Sequence, residues 1–310
     1  MNSLIAIILP IALTVVGLLV PLHILCWLRE RRRRGRRSPL TAKLLRGPGS
    51  TLTAEIDKTW EDIGAHAAAL LMFPMLVFSI HLSISYLGGE PETAFRIVLS
   101  VLVGVLGVVY LTWQLVKLGQ TRFQLQCGLE AETAVAQELD QLMRQGAIVF
   151  HDFPAEEFNI DHVVITRGGV FAVETKSRLK PDRGGGAEHA KVALESDALR
   201  FPDWLEKSML EQARRQAKWL SRWLSTAVGA QVEAKPVLAL PGWYVDRKSK
   251  CNVRVISGRE AKSLMSGWRG ESLSEEMVTR IAHQVEQRCR DVEPTRYRRT
   301  KKMGQVHSRG

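Results

Sequence analysis

Three runs without a charged side chain set the first limit on what this chain can fold into: Leu4 to Leu28, Ile63 to Gly89 and Ile97 to Val116. Each is long enough, as a helix, to cross a hydrocarbon core of ~30 Å. The spans expected are about residues 4–28, 66–88 and 96–117. Pro10 and Pro21 fall inside the first, where membrane helices tolerate them. A cleaved signal peptide is the rival for this run. Against it, no basic residue precedes the run, the run is too long, and it ends in Arg29. His66 and His81 lie in the second run and read as structural.

Nine basic residues fall between Arg29 and Arg46. Beside a membrane span they fix topology and touch anionic lipid, which we weigh above a nucleic-acid patch. The segment 29–62 is then a basic cytoplasmic loop, with a short helix at Thr53–Ile63. The turn holding Glu90 and Glu92 has acids and no base, as an outer turn should. A multi-pass cell-membrane protein follows, with its N-terminus outside and everything after Lys117 in the cytoplasm. The net charge of +11 suits anionic partners, lipid or nucleic acid, without choosing between them. Cys26, Cys127, Cys251 and Cys289 are scattered, a pattern that argues against a zinc site or a disulfide framework.

After the membrane region (1–118) comes a folded domain over 119–293 and then a basic tail, 294–310. Ala131, Val135, Leu139 and Leu142 recur at helical spacing, and Gly146 stops the helix. Glu132 lies one position off that stripe, where a carboxylate complements the helix dipole. Ala147–Phe153 reads as a strand. His162–Thr166 and Val170–Val173 are β-rich runs around Arg167-Gly168-Gly169, a hairpin signal. With Gly168 and Gly169 as turn residues, Asp161 faces Lys176 and is diagonal to Glu174. Alternation puts all three on one face and His162 on the other.

Two acids and a lysine at one end of an apolar hairpin need a reason, because charge is costly to bury unless paired or metal-bound. One reading is a metal site for phosphodiester hydrolysis. Asp161 and Glu174 offer the hard oxygens that suit Mg²⁺, and Lys176 is a point charge for the scissile phosphate. The other is a sheet-edge ion pair without function.

Gly128-x-x-Ala131-Glu132, Ile160-Asp161-His162-Val163-Val164 and Gly169-Val170-Phe171-Ala172-Val173-Glu174-Thr175-Lys176 together resemble the nuclease-related domain (NERD). The resemblance runs from about Cys127 to Leu240. That family is regarded as a branch of the restriction-endonuclease-like PD-(D/E)xK group. The resemblance implies an α/β fold, a restriction-endonuclease-like mixed sheet flanked by helices, behind an all-α three-helix transmembrane region. It implies a Mg²⁺-dependent (or Mn²⁺-dependent) nuclease site with nucleic acid as substrate, DNA ahead of RNA. Asp161 and Glu174 resemble the metal ligands, with the Thr175 backbone carbonyl assisting, and Lys176 resembles the catalytic lysine. Glu132 resembles the acid of the first helix and Gln212 the glutamine of a later one. Read from the residues alone, Gln212 is equally a solvated side chain.

Ser177–Ala190 holds Lys180, Arg183 and a triglycine without phosphate-loop spacing, and reads as a basic loop beside the site. Pro202-Asp203 opens a long helix with Leu210, Ala213, Ala217, Leu220 and Leu224 inward. Trp204, Trp219 and Trp223 interleave with bases there, a pattern for stacking nucleobases or for half-buried packing. Lys235–Leu240 and Asn252–Ile256 are two further strands, with Arg247–Lys250 a basic loop between. Ser272-x-x-Glu275 reads as a capping box opening a final helix. The tail has no apolar face and is expected to be disordered. The expectation is a membrane-anchored nuclease. Its alternatives are a non-catalytic nucleic-acid-binding module and a membrane scaffold.

Overall fold

The computed structural model describes residues 2–33, 39–40, 42–87, 89, 91–181, 187–195, 197–266 and 272–293. The expectations for Arg34, Glu90, Arg183, the triglycine and the tail therefore lie outside the described residues. Three long helices come first: α1 (Asn2–Arg33), α2 (Ser50–Tyr86) and α3 (Ala94–Asp140). The stretches Ile8–Arg31, Ser50–Tyr86 and Ala94–Gln145, the last running five residues past α3, are long and apolar enough to cross a membrane. His81 Nδ1 lies 3.0 Å from Ser100 Oγ, a polar pair joining α2 to α3.

The polar flanks of these spans do not form separate elements. Thr53–Ile63 is not a short helix of its own but part of α2, and the helix carrying Ala131 is the last third of α3. Neither junction contains a proline, so nothing interrupts the backbone ladder. By its contacts the chain divides into two compact units. Residues 43–57 and 123–293 form one of them.

That unit is mixed α/β, with two mixed sheets flanked by helices. The larger sheet has five strands in the order β1-β2-β3-β7-β9. They are β1 (Ile148–Pro154), β2 (Asn159–Thr166), β3 (Gly169–Thr175), β7 (Ala234–Ala239) and β9 (Arg254–Ile256). β1, β2 and β3 are antiparallel neighbours, and β3, β7 and β9 are parallel. The second sheet, order β6-β5-β4-β8, joins β4 (Lys191–Glu195), β5 (Ala198–Arg200), β6 (Leu205–Glu206) and β8 (Tyr244–Arg247). These strands of two to five residues are too short to show alternation; the sequence reading assigns nothing to Lys191–Arg200 and puts Leu205–Glu206 in the helix opened by Pro202-Asp203.

Both faces of the larger sheet are covered, so its central strands are apolar on both sides. Val163, Ile165, Val170 and Ala172 pack under Ala217, Leu220 and Leu224 of α4 (Ser208–Val228) and Ile281 and Val285 of α5 (Glu275–Cys289). Val164, Phe171 and Val173 pack against Val135 and Leu139 of α3. Trp219 and Trp223 belong to the first of these layers, against Phe153 and under the Arg288 guanidinium. α4 starts at Ser208 rather than at Pro202, because Leu205–Glu206 pairs with β5. α5 is capped by Ser274, whose Oγ accepts from Met277 N–H at 3.2 Å, not by Ser272.

The hairpin register also differs from the expectation. Thr166 pairs with Gly169, so Arg167 and Gly168 are the turn residues. Thr166 Oγ1 accepts from Gly168 N–H at 3.0 Å, which fixes the turn one residue early. The register moves Asp161 from opposite Lys176 to opposite Glu174. Pairing shifts by two positions, so the faces are unchanged.

Candidate active site

The carboxylates sit where the β2–β3 ladder ends. The last paired residues are His162 and Val173. One step further the backbone pair is replaced by a side-chain contact, with Thr175 N–H donating to Asp161 Oδ2 at 2.6 Å. Asp161 is thereby fixed across from Glu174. Lys176 follows β3 directly, its own N–H donating to Ala239 O at 3.0 Å, and its Nζ lies 2.5 Å from Glu174 Oε1.

α4 supplies the roof of the site. Gln212 Nε2 donates to Glu174 Oε1 at 2.7 Å, so this glutamine is held against Glu174 and is not a freely solvated side chain. Gln216, one turn on, donates to Glu174 Oε2 at 2.5 Å and to Asn159 O at 3.3 Å. The sequence reading does not single out Gln216; its i+4 spacing from Gln212 is the signal that marks it. Glu174 is 2 % exposed, so three donors on one buried carboxylate replace its lost hydration.

Glu132 and Asp161 are only partly buried. Burial, followed by the charges of Glu174 and Glu132, pushes the Asp161 carboxyl well above the usual range; Thr175 N–H and Lys176 act the other way. Burial and then Asp152 and Glu174 push Glu132 up to about 7, opposed by Lys176 and by Gly49 N–H. The structure thus brings Glu132, Asp161, Glu174, Lys176 and Gln212 into one electrostatic cluster. It holds three acids and one ammonium.

Such a donor set fits a divalent cation. Mg²⁺ takes one or two protein carboxylates and keeps several waters, so a complete protein cage is not required. Among the described residues no group of three or more His, Cys, Asp and Glu is arranged as one. Gln216 Oε1 is buried beside Glu174 with no partner in the protein, an acceptor that suits a hydrated ion.

On the opposite face His162 is fully buried and takes no part in the acid cluster. Its Nδ1 lies 2.9 Å from His151 Nδ1, its Nε2 lies 3.2 Å from Thr175 Oγ1, and His151 Nε2 lies 3.0 Å from Asp140 Oδ1. A carboxylate accepts, so His151 carries its proton on Nε2 and accepts at Nδ1. His162 then donates from Nδ1 and accepts from the Thr175 hydroxyl at Nε2. Burial pushes both imidazoles down, in keeping with this neutral chain.

Comparison with curated proteins gives no match, and comparison with solved structures gives none. Over residues 128–241, which hold Glu132, Asp161, Glu174, Lys176, Gln212 and Gln216, the chain matches the family model of the nuclease-related domain, NERD.

Proposed function

We propose that this protein is a membrane-anchored, Mg²⁺-dependent nuclease hydrolysing phosphodiester bonds of DNA or RNA. The observation that carries the reading is the meeting of Asp161, Glu174 and Lys176 at one strand end, under two glutamines. Asp161 and Glu174 would hold the cation, with the Thr175 backbone carbonyl as a further oxygen. A divalent cation there supplies Lewis-acid polarisation of a phosphoryl oxygen and lowers the pKa of water. Gln212 and Gln216 keep the Glu174 oxygens aimed. Lys176 leaves Glu174 for the scissile phosphate, where its ammonium offsets developing charge. Glu132, near its titration point at neutral pH, accepts a proton from the attacking water.

The apolar helices support attachment to a bilayer. In the orientation we propose, the N-terminus is outside and the nuclease-like domain cytoplasmic, set by the basic residues after Leu28. The full chain, purified in detergent, should cut DNA in Mg²⁺ or Mn²⁺ and stop on Glu174→Ala. Equal cleavage by the two proteins removes the assignment.

One observation favours a second reading. The Lys176–Glu174 ion pair closes the site on itself, as a non-catalytic nucleic-acid-binding module would allow. Salt-sensitive binding without cleavage, unchanged by Glu174→Ala, would select it.

A further inference from the structure

A stretch lying more than seventy residues before the matched domain grips Asp152, an acid beside the three of the site, and passes against Glu132. Residues 43–57 fold with 123–293. Leu44 and Val292 exchange both backbone hydrogen bonds, at 2.8 and 3.2 Å, and Arg46 N–H donates to Cys289 O at 3.0 Å. The Arg46 guanidinium then divides between two acids. Nε and Nη2 donate to Asp291, each at 2.8 Å, and Nη1 donates to Asp152 Oδ2 at 3.1 Å. The first turn of α2 completes the grip. Thr51 N–H and Oγ1 donate to Asp152 Oδ2 at 2.9 and 2.8 Å, and Asn159 Nδ2 donates to Thr51 Oγ1 at 2.5 Å. Gly49 passes beside the Glu132 carboxylate, close enough that a Cβ on it would stand 3.5 Å from Oε2.

Glycine is required for this approach. Gly49 has φ +63°, and a Cβ there would stand 2.3 Å from Leu129 Cδ1 and 3.5 Å from Glu132 Oε2. Across from it, a Cβ on Gly128 would meet Leu52 Cδ1 at 3.3 Å.

Asp152 is the reason a grip is needed. Continuing the β1–β2 register puts it opposite Asp161, and so in one row with Asp161 and Glu174 across three strands. It is 3 % exposed and has φ 49°, and the ladder skips it between His151 and Phe153. A buried acid in a row of acids persists only if cations and N–H groups hold it.

We propose that residues 46–51 are a positioning strap for the nuclease site: Arg46 and Thr51 hold Asp152, and Gly49 packs against the Glu132 carboxylate. The inference rests on the nuclease reading for its effect on rate, but not for the strap itself. Ser50 opens the helix that runs on to Tyr86, an apolar candidate span. Whatever draws that first turn away from Asp152 therefore draws Gly49 away from Glu132 as well.

The test uses the full chain in detergent, with Arg46→Ala, Arg46→Lys and Thr51→Val. Arg46→Ala should speed amide exchange of residues 128–134 and 149–154 by about ten-fold or more. It should lower kcat by about ten-fold with KM unchanged, and Arg46→Lys should recover part of both. Should Arg46→Ala fail to fold, Thr51→Val, which keeps the N–H and loses only the hydroxyl, should show the same changes in smaller measure. Unchanged exchange in the variants overturns the strap. Faster exchange with unchanged kcat overturns its positioning role. Absence of cleavage by wild type as well overturns the nuclease reading, and exchange alone then decides the strap.

Discussion

Lys176 Nζ lies 2.5 Å from Glu174 Oε1, and the lysine is the more exposed partner, at 24 % against 3 % for the glutamate side chain. The pair is therefore asymmetric: the ammonium can swing to solvent or to a phosphate, while the carboxylate has nowhere to go. Removing the lysine strands a buried charge; removing the glutamate charge frees an exposed one. We expect Lys176→Met to lower stability by about 1–3 kcal/mol, discounted for partial exposure. Glu174→Gln should cost less than that, yet abolish cleavage as completely. Chemical denaturation of both variants, beside a cleavage assay, checks the ordering; a larger loss for Glu174→Gln contradicts it.

Glu132 gives the site a pH dependence of defined sign. Its ordinary value is 4.5 and the folded value is about 7. Between those two pH values the folded chain holds a proton that the unfolded chain has released, so stability falls as pH rises across the window and is lowest above it. A cation competes with that proton, so Mn²⁺ affinity should rise over the same range. In thermal melts from about pH 5 to 8, Glu132→Gln should flatten the fall. A variant with the wild-type slope would show that another group produces it.

The imidazole pair behind the sheet acts in the other direction. His151 and His162 are held below 6.5, so protons taken up by the unfolded chain as pH drops through 6.5 favour unfolding. The neutral chain also fixes the tautomers. Nitrogen chemical shifts should show the proton on Nε2 of His151 and on Nδ1 of His162 at neutral pH. The opposite assignment at either ring would break the chain to Thr175.

What the sequence made legible follows the range of each interaction. The apolar runs and the strands around Gly168-Gly169 are local signals, and each becomes a helix or a strand of the larger sheet. Asp161, Glu174 and Lys176 were readable because one hairpin carries them, and the alternation of side chains survives a misplaced turn. The second sheet was not readable, since Leu205–Glu206 and Ala198–Arg200 have no period of their own. Arg46 and Thr51 were least readable of all. Their partner Asp152 lies about a hundred residues away, beyond two apolar helices, and an arginine in a basic run looks like one more topology signal.

That distance yields a prediction in which one substitution changes sign. In the full chain, Asp152 accepts from Arg46 and from both donors of Thr51, so Asp152→Asn loses a charge-assisted set and should destabilise. A fragment of residues 119–310 contains every residue the family resemblance singles out and lacks residues 43–57. There Asp152 has lost Arg46 and Thr51 and stays in the row with Asp161, near Glu132. Like charges directly opposite one another on a sheet are destabilising, so the same Asp152→Asn change should stabilise the fragment, by about 0.2–1 kcal/mol. Urea midpoints of the two fragments, set against thermal midpoints of the two full chains in detergent, measure both signs. Destabilisation in the fragment as well would mean that Asp152 finds its support within 119–310 and owes nothing to Arg46.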